Sequence, residues 1–276
     1  MNTQKKFSVK YTLTSNSWGK EEINSIQKVI DSDFYTYGKF VTDFEKKFSK
    51  YFKMKYGVMV NSGSSANLIA IASLFFKKDN PLRKGDEVIV PAISWSTSYY
   101  PLMQYGLKLK FVDVEIDTLN FNVETVKRAI TSKTKLILAV SILGNPVKLD
   151  ILSKICNKNK IYLMEDNCES MGAKIKKKFT GTYGIVNTYS TFFSHHISTI
   201  EGGVILTNNN EIHNLCLSLR SHGWTRDLQN NFYLKKKQSK YEKYCFVLPG
   251  YNVRPTNINA AIGIEQIKKL NKFVKI

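Results

Sequence analysis

The sequence predicts an α/β protein built on a mostly parallel sheet covered by helices on both faces. Three observations lead there. Short β-rich runs alternate along the chain with stretches of helical periodicity. At 276 residues and 43% apolar content the chain can bury a real core. No internal repeat or low-complexity linker breaks the succession.

The elements follow in order. Ile23, Ile26, Val29 and Ile30 recur at helical spacing, and Phe44, Phe48, Tyr51 and Phe52 do so again. Two amphipathic helices therefore open the chain, split by a turn at Tyr37-Gly38. The strand runs are GVMV at 57–60, EVIV at 87–90, LKFVDV at 109–114, LILAV at 136–140, IYLMED at 161–166 and GVILTN at 203–208. Between the first run and a helix starting near Ser65 lies a Gly/Ser turn, in NSGSSANLIAIASLFF. A last apolar-periodic stretch begins near Asn259 and reaches the final residue without a C-cap glycine or polar tail, so the chain reads as a fragment lacking a C-terminal segment.

Composition narrows the function classes. There is no run of eighteen apolar residues and no apolar h-region near the N-terminus, so neither a membrane span nor a signal peptide is expected and a cytoplasmic protein is the simplest reading. Cys156, Cys168, Cys216 and Cys245 are widely spaced without a CxxC pair, which predicts reduced thiols rather than a disulfide framework or zinc site. The formal charge of +19 comes from lysines scattered through the chain, with Lys174–Lys178 and Lys235–Lys237 as solvated runs. Neither a nucleic acid nor a membrane is expected as a partner, while an anionic small molecule gains from the field.

Three segments carry chemistry. The Ser-Gly-Ser-Ser turn precedes a helix, where free N–H groups and the helix dipole attract an anion. No GK[ST] follows, so it is not a P-loop, and many such turns only cap helices. In MEDNCESMGA, Asp166 ends a strand at the sheet edge where open α/β folds bind ligands, and it could hold a protonated pyridine nitrogen. Glu165 and Asp166 could equally be ordinary loop acids. The third segment, TYSTFFSHHISTIEGGVILTNN, suggests an acid–base or a metal site. Metal is disfavoured because adjacent histidines in an extended segment point to opposite faces and no third ligand accompanies them.

Taken together, these pieces resemble the DegT/StrS-type nucleotide-sugar aminotransferases and dehydratases, from about Ser15 to Ile276. The motifs that carry the likeness are GKFVTDFEKKF, GSSAN, GDEVIVPAISW, the ED strand end, the EGG turn and GYNVRPT. The family's coenzyme-binding lysine stands six residues before the acid of the EGG turn; counting back from Glu201 gives His195. An imidazole cannot bond the coenzyme covalently as a lysine does, and the swap resembles the 3-dehydratases of 3,6-dideoxysugar synthesis. The resemblance implies the type I PLP-dependent transferase (aspartate aminotransferase) fold: a mostly parallel seven-stranded sheet flanked by helices. Residues 1–250 would be a large coenzyme-binding domain with an N-terminal helical segment. Residues 251–276 would start a C-terminal small domain that is largely missing.

It further implies pyridoxamine 5'-phosphate or pyridoxal 5'-phosphate as coenzyme and His195 as the catalytic acid–base residue. Asp166 would pair with the pyridine nitrogen, and Glu169 would lie near the phenolic oxygen. Trp95 would stack on the ring, and Gly63, Ser64 and Ser190 would bind the phosphate. Asn252 would reach the phosphate of a neighbouring copy, making a homodimer with shared active sites. His196 orients the loop in this reading. The implied substrate is a nucleotide-linked 4-keto-6-deoxyhexose, with glutamate as amino donor, in lipopolysaccharide O-antigen synthesis. The iron–sulfur members of the family carry clustered cysteines that RSHGWTRDL lacks. The competing expectations are an aminotransferase of the same family using a lysine such as Lys174, and an inactive protein on this fold.

Overall fold

The computed structural model describes residues 14–229, 232–234 and 244–275. The N-terminal segment read above for a leader lies largely outside them, as does the Lys235–Lys237 run. Helices α1 (Lys20–Asp31) and α2 (Lys39–Tyr51) precede β1 (Tyr56–Val60). There follow α3 (Gly63–Phe75), β2 (Glu87–Pro91), α4 (Ser96–Gln104), β3 (Lys108–Val112), α5 (Val123–Ala129), β4 (Thr134–Val140), α6 (Leu149–Asn159) and β5 (Tyr162–Asp166). A hairpin of β6 (Lys174–Ile175) and β7 (Lys178–Phe179), then β8 (Val186–Ser190), β9 (Gly203–Thr207), α7 (Asn210–Leu219) and α8 (Asn257–Phe273) complete the order.

Among the described residues seven strands form one sheet in the order β1-β9-β8-β5-β4-β2-β3. β9 runs antiparallel to both neighbours and the other pairs are parallel, so the expected mostly parallel seven-stranded sheet is present. Side chains alternate between faces along a strand, and here both faces are apolar. Val88, Val90, Leu136, Leu138 and Met164 join α3 and α7 in one core. Ile89, Ile137, Ala139 and Leu163 pack under α5 and α6. Met59, Val204 and Leu206 pack against α2 and α8. Burial on both sides is why these strands read as nearly unbroken apolar runs.

Two elements depart from the sequence reading. β8 is missing from the strand runs read by pattern because Val-Asn-Thr-Tyr-Ser has little apolar signal, yet all five residues are buried. Most of their side chains find partners: Thr188 Oγ1 donates to Asn67 Oδ1 at 2.6 Å, and Tyr189 Oη to the Thr180 carbonyl at 2.7 Å. In α1 the isoleucines do not supply the buried face. Ile23 and Ile30 are exposed, while Glu22, Ser25 and Val29 are buried. The reason is α8, which offers this helix a polar seam: Glu22 accepts from Gln266 Nε2 at 2.8 Å and from Lys269 Nζ at 2.7 Å. Against α2 the contact is apolar and close, since a Cβ at Gly263 would lie 2.6 Å from the Phe44 ring.

All four cysteines are free. Among the described residues no helix is long and apolar enough to cross a membrane.

Candidate active site

The turns leaving the carboxyl ends of β1, β2, β4, β5 and β8 carry most of the residues singled out above. This is the edge at which parallel α/β sheets bind ligands. β1 runs into Ser62, whose Oγ accepts from Ser65 N at 3.1 Å and caps α3. The first intrahelical bond is Ala66 N to Ser62 O at 3.0 Å, so the N–H groups of Gly63 and Ser64 precede the helical ladder. Ser64 Oγ donates to Thr97 Oγ1 at 2.9 Å. A Cβ at Gly63 would lie 2.6 Å from Ser190 Cβ and 3.1 Å from Cys168 Sγ. Ser190 is therefore no solvent-facing strand residue; it is buried against this turn.

Asp166 lies beneath the same turn and is only 4% exposed. Its Oδ2 accepts from Asn67 Nδ2 and Ser98 Oγ, each at 2.8 Å, and its Oδ1 from Cys168 N at 3.1 Å. Asn67 is held in turn by Thr188. The sequence reading missed Asn67, Ser98 and Thr188. The signal for Asn67 was available: it is the last polar residue before the apolar run at 68–72 of α3, and a buried amide demands partners. Glu165 points to the other face and accepts N–H bonds from Gly181, Tyr183 and Gly184 at 2.5, 2.7 and 2.7 Å. Burial pushes its carboxyl up against the pull of those three donors. It clasps a turn, and only Asp166 faces the site.

Glu169 Oε2 accepts from Leu143 N at 2.7 Å. Leu143 follows β4 with φ 51°, a left-handed conformation that a leucine rarely adopts. Trp95 is the N-cap residue of α4 and is 73% exposed, which excludes core packing as its role.

The segment after β8 is a closed bend rather than the extended stretch assumed from sequence. Thr199 N donates to Thr191 O at 2.8 Å and the two threonine hydroxyls meet at 2.6 Å. From α8, Gln266 Oε1 accepts from Ser198 N at 3.1 Å, and Asn259 Nδ2 donates to Thr199 O at 2.6 Å. The two glycines of the EGG turn allow close approach. A Cβ at Gly202 would meet the Thr191 and Thr199 hydroxyls at 2.4 Å, and one at Gly203 would meet Ser62 O at 2.2 Å.

His195 sits in this bend, edge-on to the Phe192 ring. Burial lowers its imidazole below the ordinary value, opposed by the negative charges of Glu169 and Asp166. His196 is lowered by burial and by His195, against Glu169, and its Nδ1 is buried without a partner. Among the described residues no group of three or more His, Cys, Asp or Glu is placed to hold a metal ion. Lys174, the alternative nucleophile, lies exposed over the Phe179 ring at 4.4 Å. Asn252 is exposed and accepts from Arg254 Nε at 3.1 Å; among the described residues no hydrogen bond joins it to Gly63, Ser64 or Ser190.

The donor set fits a phosphorylated pyridine. Helix-start N–H groups and hydroxyls suit the phosphate, a buried carboxylate suits a protonated ring nitrogen, and an exposed indole offers a stacking face.

Comparison with known proteins agrees. The DegT/DnrJ/EryC1/StrS aminotransferase family model matches residues 16–276. GDP-4-keto-6-deoxy-D-mannose 3-dehydratase of Yersinia pseudotuberculosis is 50% identical over 275 residues, covering 99% of this chain and 70% of that protein. A solved GDP-4-keto-6-deoxymannose-3-dehydratase, a histidine-to-asparagine variant with bound GDP-perosamine, superposes with TM-score 0.94 at 51% identity, covering 96% of this chain and 70% of that one. The same enzyme with a trapped PLP-glutamate geminal diamine gives TM-score 0.92 at 52% identity, covering 95% and 69%.

Proposed function

This chain belongs to the DegT/DnrJ/EryC1/StrS aminotransferase family, and from that premise we propose that it is a pyridoxamine-phosphate-dependent 3-dehydratase acting on a nucleotide-linked 4-keto-6-deoxyhexose. One observation carries the choice between dehydratase and aminotransferase: an imidazole, His195, stands within electrostatic reach of Asp166 and Glu169, while Lys174 lies exposed over Phe179. When bound, the coenzyme supplies an amine for the C4 ketone of the sugar and a ring that accepts the electron pair released by deprotonation.

The chain's own residues do the rest. Gly63 and Ser64 N–H groups, with the Ser64 and Ser190 hydroxyls, hold the phosphate. Asp166 keeps a proton on the ring nitrogen, Glu169 orients the phenolic oxygen and Trp95 covers one face. His195, a free base at neutral pH, removes the proton at C4' and returns it to the departing C3 hydroxyl, which leaves as water. Water then cleaves the C4–N bond of the deoxygenated sugar, restoring its ketone and releasing ammonia, and glutamate, the two-electron reductant of the cycle, replaces that amine and departs as 2-oxoglutarate. A second copy of the chain supplies Asn252, so the enzyme works as a homodimer with shared sites.

The test is mass spectrometry of products from GDP-, CDP- and dTDP-linked 4-keto-6-deoxyhexoses incubated with pyridoxamine phosphate and glutamate. A product one oxygen lighter is expected. An amino sugar, or a pyridoxyl group fixed on a lysine by borohydride, would make the protein an aminotransferase.

A further inference from the structure

Among the described residues β1 is an edge strand, paired with β9 alone. In an antiparallel pair alternate residues turn their N–H and C=O away from the partner, and at Met59 both groups are taken by side chains. Met59 N donates to Glu45 Oε1 at 2.8 Å, and Arg220 Nη1 donates to Met59 O at 2.7 Å. The two side chains meet at 2.5 Å, with the guanidinium wholly buried and the Tyr37 ring 4.5 Å from its Cζ. Two residues on, the grip repeats through backbone. Asn61 N donates to Val253 O at 3.0 Å, and Val253 N donates to Arg220 O at 3.1 Å. Ser62, the cap of the phosphate turn, comes next.

We propose that Glu45 and Arg220 are positioning residues that replace the absent neighbour strand at Met59 and so set the place of the Ser62–Gly63–Ser64 turn. The proposal rests on the reading that this turn holds the coenzyme phosphate. Stability alone does not account for the pair. A buried ion pair is a weak stabiliser compared with an apolar one of like volume, and here Arg220 Nε and Nη2 are buried without partners. An apolar pair could fill the space. It could not offer one backbone residue both an acceptor and a donor, and β1 would be free to shift along α2 where Gly57 brings it close: a Cβ there would lie 2.8 Å from Glu45 O.

The test separates phosphate placement from folding by dividing the dissociation constant of pyridoxamine, which lacks the phosphate, by that of pyridoxamine phosphate. Their ratio in the unaltered protein reports what the phosphate contributes. Arg220→Lys and the double variant Glu45→Leu with Arg220→Met are expected to lower that ratio, the double variant by about tenfold, the loss of roughly one net hydrogen bond. Ser64→Ala, altered in the turn itself, is the positive control, and thermal melts check folding. Should the double variant not fold, Arg220→Lys and Glu45→Gln carry the measurement. A lowered melting temperature with an unchanged ratio would reduce the pair to scaffolding. A ratio near one in the unaltered protein, unmoved by Ser64→Ala, would instead remove the phosphate reading.

Discussion

The imidazole of His195 is kept below its ordinary pKa because its ring is partly withdrawn from water, with Glu169 and Asp166 pulling the other way. General-base work needs the neutral ring, so activity is lost on the acid side as the imidazole protonates. The acid limb of kcat/KM should therefore inflect below about 6.5, the free-imidazole value; an inflection above it would contradict the assignment. His195→Asn should lower turnover by about 10² to 10⁴-fold while pyridoxamine phosphate still binds in a spectroscopic titration. The position of this residue was legible beforehand, because its distance from the EGG turn is a matter of counting; the closed bend around it was not. Nor was the pairing of Asn67 and Ser98 with Asp166, since they reach it from helices that only the fold brings beside β5.

The histidine bend is held from α8, through Gln266 and Asn259. Gln266 of α8 is fully buried and joins Ser198 N, Ser17 and Glu22. Gln266→Leu leaves a buried N–H and part of a buried carboxylate without partners, which should cost about 2–4 kcal/mol in urea unfolding. A second element contact has its own pH signature. His213 of α7 stacks on Tyr56 of β1 with ring centroids 4.4 Å apart, and burial pushes its pKa down to about 4. Between about 6.5 and that value the unfolded chain binds a proton that the folded one refuses. Stability is thus full above the upper limit and falls as pH drops through the window, by up to about 3 kcal/mol. His213→Phe should keep the stack and flatten the fall in urea midpoint between pH 7 and 5. At this scale apolar runs announced six strands, whereas β8 was hidden because its burial is satisfied by side-chain hydrogen bonds instead of apolar area. The helix α1 misled for the converse reason: Ile23 and Ile30 face out, while Glu22 and Ser25 are buried beside Val29.

For the whole molecule, the net charge of +19 is a property of the surface field rather than of the fold. A nucleotide sugar carries two phosphates, so its capture should weaken with ionic strength. Raising salt from 0.05 to 0.5 M should reduce kcat/KM by roughly threefold to tenfold with little change in kcat; a flat response would mean that the lysines do not steer it. The sheet order could not be read from the chain, since nothing local tells β9 to insert antiparallel between β1 and β8. Trp95, standing clear of the protein's own packing at the head of α4, makes the molecule its own indicator. Its emission should dim as the vitamin-derived chromophore arrives, and Trp95→Phe should abolish most of that signal, giving an optical readout of loading without any added label.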